Sequence, residues 1–459
     1  MMNTIKNIAT YAVLTGVAAV FHIQSAMAAI AIEHWTQANG AEVFLVQSHA
    51  IPMVDVQIDF DAGGRRDPPD QAGLAQVTAS LSGMGVLADA SKNEAALDEN
   101  ALGEAWADLG ANFGAHSSSD RMSFALRSLT SPDLLSKVMT LAARQLAAPA
   151  FAPEIWQRER ETLSAAIKEA NTRPATLAEH AFEHAVFGQH PYGYEMTEAS
   201  LKRMEVSHMA TLYRQLILPC RARVSVVGAL TRSQADALVE QLLSRLPDAS
   251  AGLAGLATCP TLPPVAEVAA LTEAKDITIE FDSAQAHVLI GQPGYKRNDP
   301  DFFAMMVGNY ILGGGGFVSR LTTEVRGKRG LSYSVDSRFS PGLHAGEFTI
   351  GLQTRPDQAH AALQVSREVL ANFVANGPTE EELVAAKKNL LGGFALRLDS
   401  NKKLLDNLAN IAWNQLPLNY LDTWTQQVDR VTVNDIKAAF ARKLQPNKMV
   451  TVVLGAKLR

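Results

Sequence analysis

The sequence predicts an α+β protein of two duplicated halves, each a mostly antiparallel sheet packed with helices, and three observations carry that prediction. Asp61–Gly85 (DAGGRRDPPDQAGLAQVTASLSGMG) and Gly291–Gly315 (GQPGYKRNDPDFFAMMVGNYILGGG) align without a gap, 230 residues apart. Each follows a strand-like run, Val54–Phe60 or Ala284–Ile290, crosses a polar turn with Gly and Pro, and enters an apolar helical stretch. The ends of the halves match as well. Leu201–Pro219 and Val428–Pro446 lie 227 residues apart, share a helical apolar period, and lead into the strands VSVVG and TVVLG that end at Gly228 and Gly455. A repeat this long is a duplication, and it overrides the domain count of about three that length alone would suggest. Finally, strands come in runs beside runs of helices, which favours α+β packing over a doubly wound parallel sheet.

The elements follow in order. The first 28 residues read as a cleavable export signal: Lys6 is the positive n-region, Ala12–Phe21 the short apolar stretch, and Ala26-Met27-Ala28 the cleavage site. The apolar run is about half of the roughly 20 residues a membrane anchor needs. A periplasmic protein beginning at Ala29, with no stable membrane anchor, is expected. Glu42–Val46 and Val54–Phe60 read as strands, Ala72–Ser82 as a helix, Asp120–Leu126 as a strand, and Pro132–Ala147 and Pro153–Ala170 as helices. Ala249–Pro264, uncharged and rich in Ala, Gly, Leu and Pro, reads as the linker. It separates an N-terminal half (29–248) from a C-terminal half (265–459).

Composition limits the functional classes. Hydrophobic residues make up 47% of the 459, which excludes disorder as the main state. Lys and Arg number 41 against 47 Asp and Glu, a net charge of −6, so no nucleic-acid partner is expected. The two cysteines, Cys220 opening a strand and Cys259 in the linker, are too few for a thiolate metal site. An oxidising compartment permits their pairing. The sequence leaves that open, with the balance slightly toward two free thiols.

After the first polar turn comes Gly73-Leu74-Ala75, followed by Gln76-Val77-Thr78-Ala79-Ser80. With the duplication, this layout resembles the M16 family of zinc peptidases, the pitrilysin and mitochondrial-processing-peptidase group, over essentially the whole mature chain. In active members the triplet leads into H-x-x-E-H, whose histidines hold zinc and whose glutamate activates water. Here Gln76 and Ser80 replace the histidines and Ala79 the glutamate. The family's further ligand, in a pattern like L-x-E-E-I, corresponds to Leu163-Ser164-Ala165-Ala166-Ile167, where both candidate positions are alanine. The resemblance therefore implies a zinc-free pseudo-site: no metal and no cofactor in this chain. A literal H-x-x-E-H does occur at His180-Ala181-Phe182-Glu183-His184, just before the turn His190-Pro191-Tyr192-Gly193. Outside the family's context, it reads as a solvated helix face rather than a metal site.

The glycines Gly313, Gly314, Gly315 and Gly316 precede Phe317-Val318-Ser319-Arg320-Leu321, Glu324, Arg326, Gly330-Leu331 and Tyr333. This run resembles the second-half signature of M16 proteins, L-G-G-G-x-x-x-S-R-L-x-x-E-x-R-x-x-x-G-L-x-Y. Arg326 should close a helix that Gly330 breaks, with Tyr333 opening the next strand, so that both side chains reach one space. Guanidinium and phenol are both donors at neutral pH, and two donors aimed at one carbonyl hold a peptide and support an oxyanion. The resemblance implies Arg326 and Tyr333 as catalytic and substrate-binding residues, facing a chamber between the halves. The glycine run suits either a mobile substrate-entry loop or a plain turn. Gly110–Ser119, next to a strand, is read as no more than a hairpin, though the family lays peptides on an edge strand nearby. The expected function is a zinc-free subunit of a heterodimeric periplasmic M16B peptidase. Zinc would reside in a partner with intact H-x-x-E-H, and peptides would be the substrates. The alternative is a non-catalytic peptide-binding or scaffold protein.

Overall fold

The computed structural model describes residues 30–247 and 259–456; the signal segment read at 1–28 and most of the linker lie outside the described residues. Along the chain, β1 (Glu33–Thr36), β2 (Glu42–Gln47) and β3 (Met53–Phe60) precede α1 (Leu74–Leu81) and α2 (Glu99–Asp108). Next come β4 (Asn112–Ser117), β5 (Met122–Leu129), α3 (Pro132–Ala147), α4 (Pro153–Ala170), α5 (Pro174–Phe187), α6 (Glu198–Arg203), α7 (Val206–Leu216), β6 (Arg223–Gly228) and α8 (Arg232–Leu243). The second series opens with β7 (Lys275–Ile279), β8 (Ala286–Pro293), α9 (Phe302–Asn309), β9 (Ser334–Phe339) and β10 (Glu347–Thr354). It ends with α10 (Ala359–Asn376), α11 (Glu380–Gly392), α12 (Asn401–Trp413), α13 (Tyr420–Arg430), α14 (Val433–Lys443) and β11 (Val450–Leu454).

The strands form two sheets, ordered β1-β2-β6-β3-β5-β4 and β7-β11-β8-β10-β9. Setting β1 aside, substituting β7 to β11 for β2 to β6 turns one order into the other. Each sheet is antiparallel except for one parallel pair, β2 with β6 and β11 with β7. The duplication is thus a duplication of topology. Even its helical breaks repeat. Leu201–Pro219 is interrupted before α7, where Glu205 N–H donates to His208 Nδ1, and Val428–Pro446 is interrupted before α14, where Thr432 and Asp435 cap each other. The strand expected at Asp120–Leu126 begins at Met122 and runs to Leu129, because Asp120 is taken up by the seam between the halves described below.

Strand alternation decides which face each half buries. In β3, Val54, Val56, Ile58 and Phe60 join a core that also holds α1, α3 and α8 residues, while Asp55, Gln57 and Asp59 occupy the opposite face. That second face is polar: Arg127 pairs with Asp55 (2.6 Å) and Arg121 with Asp59 (2.8 Å). It is covered by α12 of the second series. The Trp413 ring sits between the Arg121 and Arg223 guanidiniums, 5.5 and 5.4 Å from its centroid. These arginines donate to Ala409 O and Trp413 O. In exchange, α5 packs on the second sheet, its Ala178, Phe182 and Val186 against Val450, Val452 and Leu454 of β11. Gly291 on β8 makes room, since a Cβ there would stand 2.8 Å from Phe182 Cζ. Each sheet is closed by a helix from the other half.

A hydrogen-bonded seam ties the halves at the turn after α5. Tyr192 Oη donates to Asp120 (2.6 Å) and accepts from His344 N–H (3.2 Å), while Leu343 N–H donates to the other Asp120 oxygen and Ala345 N–H to Glu267. His190 is buried beside His344, with ring centroids 5.0 Å apart. Its Nε2 donates to Ala266 O and its Nδ1 accepts from Tyr192 N–H, an arrangement only the neutral ring can make. Burial and the neighbouring His344 hold its pKa below the ordinary 6.5. A buried neutral histidine takes up its proton more readily when unfolded, so its contribution is present above that value and lost as the pH falls through and below 6.5. Measured by urea unfolding from pH 8 to 5, the midpoint advantage of the wild type over His190→Gln should shrink on acidification, since the groups that titrate in the opposite sense are common to both proteins. An advantage that stays constant over this range would assign the pH dependence elsewhere.

Cys220 and Cys259 form a disulfide with a Cα–Cα distance of 5.6 Å across 39 residues, correcting the leaning toward free thiols. Cys220 does not open a strand: it lies in the short turn Pro219–Arg221 before β6. The bond anchors the linker to the first sheet. Closing a loop of this length is worth about 4 kcal/mol in the chain-entropy model. Cys259→Ser should therefore lower unfolding stability by up to about that amount, read from urea denaturation without reductant; an unaltered midpoint would show that the cross-link does not restrain the unfolded chain.

Candidate functional site

The pseudo-site is built at the start of α1. Gly73 takes φ +96°, and Asp67 accepts the Gly73 and Ala75 N–H groups (2.9 Å each), capping the helix from an upstream turn. Burial outweighs those bonds and raises the Asp67 carboxyl to about 7. One turn into the helix, Gln76 and Ser80 are exposed and Ala79 is buried. On α4, Ala165 and Ala166 are exposed, and Ser164 donates to Glu198. An amide, a hydroxyl and methyl groups do not fit zinc, which requires imidazole, thiolate or carboxylate ligands. Among the described residues, no group of three or more His, Cys, Asp or Glu could hold a metal ion. Gln76 lines a small cavity of about 220 Å³ whose walls all come from the first half, including Ser117, Tyr194 and Met196.

The literal H-x-x-E-H lies on α5, the helix exchanged onto the second sheet. Phe182 at its centre is buried. His180 pairs through Nδ1 with Glu195 (2.8 Å), and His184 is exposed. Glu183 is reached by solvent, yet desolvation by its surroundings and the carboxylates of Glu347, Glu179 and Glu195 raise it to about 7. The motif's spacing serves helix packing and surface charge.

The second-half signature forms an unusual turn. After α9 the chain widens into i→i+5 hydrogen bonding, Gly315 N–H donating to Tyr310 O (2.8 Å), and it does so again where Lys328 N–H donates to Thr323 O (2.9 Å). Such wide turns occur often at functional sites. The glycines have distinct roles. Gly313 is buried, where a Cβ would stand 2.4 Å from Ser337 N. Gly314 and Gly315 abut Asn309 and Tyr310, and Gly316 alone takes a positive φ, +63°, facing open space. The run is a packed turn that projects Phe317 and Val318, 76% and 75% exposed.

Arg326 lies in the second wide turn, Gly330 reverses the chain at φ +62°, and Tyr333 immediately precedes β9, 82% exposed. The Arg326 guanidinium carbon stands 4.6 Å from the Tyr333 ring centroid and 4.8 Å from that of Phe317. The two predicted residues meet, and Phe317, which the sequence reading did not single out, brings a second ring to the guanidinium. Its signal was its place immediately after the glycines, within the same signature. The neighbouring cations are neutralised: Arg320 by Glu382 (2.6 Å), Lys328 and Arg329 by Glu324 (2.7 Å each). Arg326 has no carboxylate partner among the described residues. Its charge is held in place by aromatic faces, which leaves its N–H groups for an incoming acceptor.

Similarity to known proteins agrees with this architecture. The model for insulinase, peptidase family M16, matches residues 42–200, and that for the peptidase M16 inactive domain matches residues 204–390. An uncharacterized zinc protease of Streptomyces coelicolor is 28% identical over 301 residues, 65% of this chain and 64% of that protein, so the chain spans just under two thirds of that relative. The non-peptidase homolog YmxG of Helicobacter pylori is 25% identical over 430 residues, 91% of this chain and 93% of that one. The crystal structure of a peptidase M16 inactive domain from Pseudomonas fluorescens is 31% identical and superposes with a TM-score of 0.85, over 93% of this chain and 98% of that one. Two matching halves with one shared topology, and Gln76, Ala79 and Ser80 where zinc chemistry would require His, Glu and His, place the chain in the M16 peptidase family as an inactive-type member.

Proposed function

We propose that this chain is the zinc-free subunit of a heterodimeric M16B peptidase, exported to the periplasm by the signal read at residues 1–28. It binds peptide and supports the oxyanion in trans to a partner carrying intact H-x-x-E-H. The observation that carries the proposal is Arg326, an uncompensated guanidinium held between Phe317 and Tyr333 on an exposed turn. Its neighbours Arg320, Lys328 and Arg329 are each paired with a carboxylate, whereas the Arg326 N–H groups remain open to an acceptor. The partner's zinc would supply the activated water. This chain's part is electrostatic: the Arg326 N–H groups and the Tyr333 hydroxyl hold the substrate carbonyl and bind it more tightly as charge develops on oxygen. Gly313, Gly314, Gly315 and Gly316 present Phe317 against the bound peptide. The test is reconstitution: the purified chain, mixed with a secreted homologue bearing H-x-x-E-H, should form a complex that cleaves peptides far faster than either protein alone. By itself the chain should hold well under one zinc per molecule. If it adds no activity to the zinc-bearing homologue, the proposal is wrong.

A second reading, a non-catalytic scaffold or peptide-binding protein, draws on the relatives named non-peptidase and inactive. It expects complex formation without any rate dependence on Arg326.

A further inference from the structure

A cavity larger than the one at Gln76 adjoins it, sharing Pro191 with it and reaching Leu74, the first residue of α1. It has a volume of about 990 Å³ and runs between α7, the turn carrying Arg65 and Arg66, and the extended linker Pro260–Ala266. Leu74, Leu212, Leu216, Leu218 and Leu262 supply an apolar lining. Among the described residues no Asp or Glu borders it, whereas Arg65, Arg66, Arg214, Arg221 and His208 do, in a protein whose net charge is −6. Two of the four arginines are already neutralised, since Arg65 and Arg66 both pair with Asp61 (2.7 and 2.6 Å). Arg214 and Arg221 have no ion-pair partner among the described residues, although the Asp61 charge also acts on Arg221. Among the described residues Arg214 bonds only the Ala210 carbonyl one turn back in its own helix. Arg221 donates through one terminal nitrogen to Pro260 O (2.6 Å), while its Nε is buried with no hydrogen-bond partner.

We propose that this cavity is a binding site for a small amphipathic anion, an aliphatic carboxylate whose head pairs with Arg221 and Arg214 and whose chain lies along the leucines. A buried guanidinium N–H without an acceptor is costly, and a carboxylate answers it with a charge-assisted bond. The linker wall argues against a peptide strand as the occupant. Pro260, Pro263 and Pro264 have no N–H to donate, and the Pro260 and Pro263 carbonyls already accept from Arg221 and Arg66. A hydrocarbon chain needs neither. The Cys220–Cys259 disulfide pins this wall beside Arg221, so the site is assembled by the cross-link.

Titration of the oxidised full chain with dodecanoate below its micellar concentration, followed by calorimetry, tests the proposal. Saturable binding of one dodecanoate per chain is expected, with dodecan-1-ol binding at least about tenfold more weakly because it lacks the charge. Arg221→Gln should weaken dodecanoate to a similar degree, and Leu262→Ser, on the half-buried linker, should weaken both ligands. Reduction of the disulfide should raise the dissociation constant. Equal affinity for acid and alcohol, unaltered binding by a folded Arg221→Gln, absence of saturable binding, or displacement of dodecanoate by an acidic peptide would each overturn it. The comparison of acid with alcohol requires no variant, so a misfolded mutant cannot rescue or sink the idea.

Discussion

Arg326→Ala is expected to lower turnover of the reconstituted heterodimer by about two orders of magnitude or more, the usual consequence of removing an oxyanion donor, while the complex stays assembled. The loss should fall mainly on kcat, because the guanidinium acts most strongly once the carbonyl oxygen carries charge. Tyr333→Phe removes only the hydroxyl and keeps the ring under Arg326, so it should cost less than Arg326→Ala. Phe317→Ala removes one of the two rings that hold the guanidinium and should lower turnover without abolishing it. Steady-state kinetics with a quenched peptide, alongside size-exclusion of each complex, separates these effects. Wild-type turnover from the Arg326→Ala complex would leave the scaffold reading standing and remove the catalytic one.

Phe182→Ala carries the largest expected effect on stability. The ring is buried, packs on Val450, Val452 and Leu454, and fills the space left by Gly291. Truncating a buried phenylalanine costs about 3–5 kcal/mol, and here the void opens between the halves. Urea unfolding followed by near-ultraviolet circular dichroism should show a midpoint shift of that size. It should also show a steeper loss for the second half, whose sheet depends on α5 as a cover. A shift below about 1 kcal/mol would mean that the exchanged helix contributes little and that the cavity collapses freely. The change also bears on the literal H-x-x-E-H, because Phe182 is its middle residue: that segment's spacing reflects this packing.

Much of the fold was legible because local rules agree with it. Helices Pro132–Ala147 and Pro153–Ala170 appear in the structure with the bounds their apolar period predicts, and the duplicated segments share strand order as well as sequence. Boundaries were less legible where a side chain is used elsewhere: Asp120 was read into β5, but its carboxylate binds Tyr192 and Leu343 instead. The hairpin read at Gly110–Ser119 is present, with Asn112–Ser117 as the strand β4 paired antiparallel with β5.

Residue order alone carries the two-half α+β plan, the lack of zinc-ligand side chains at Gln76, Ala79 and Ser80, and the linear signature joining Gly313 to Tyr333. Residue type and spacing suffice for these, because a helix turn or a strand period is a short-range property. Three features appear only once the chain is folded: α5 and α12 each cover the sheet of the opposite half, Cys220 meets Cys259, and Phe317 lies against Arg326. The exchange of α5 and α12 depends on atoms far apart in the chain coming within contact distance. That proximity comes from burying the faces of two sheets at once, and no local period encodes it.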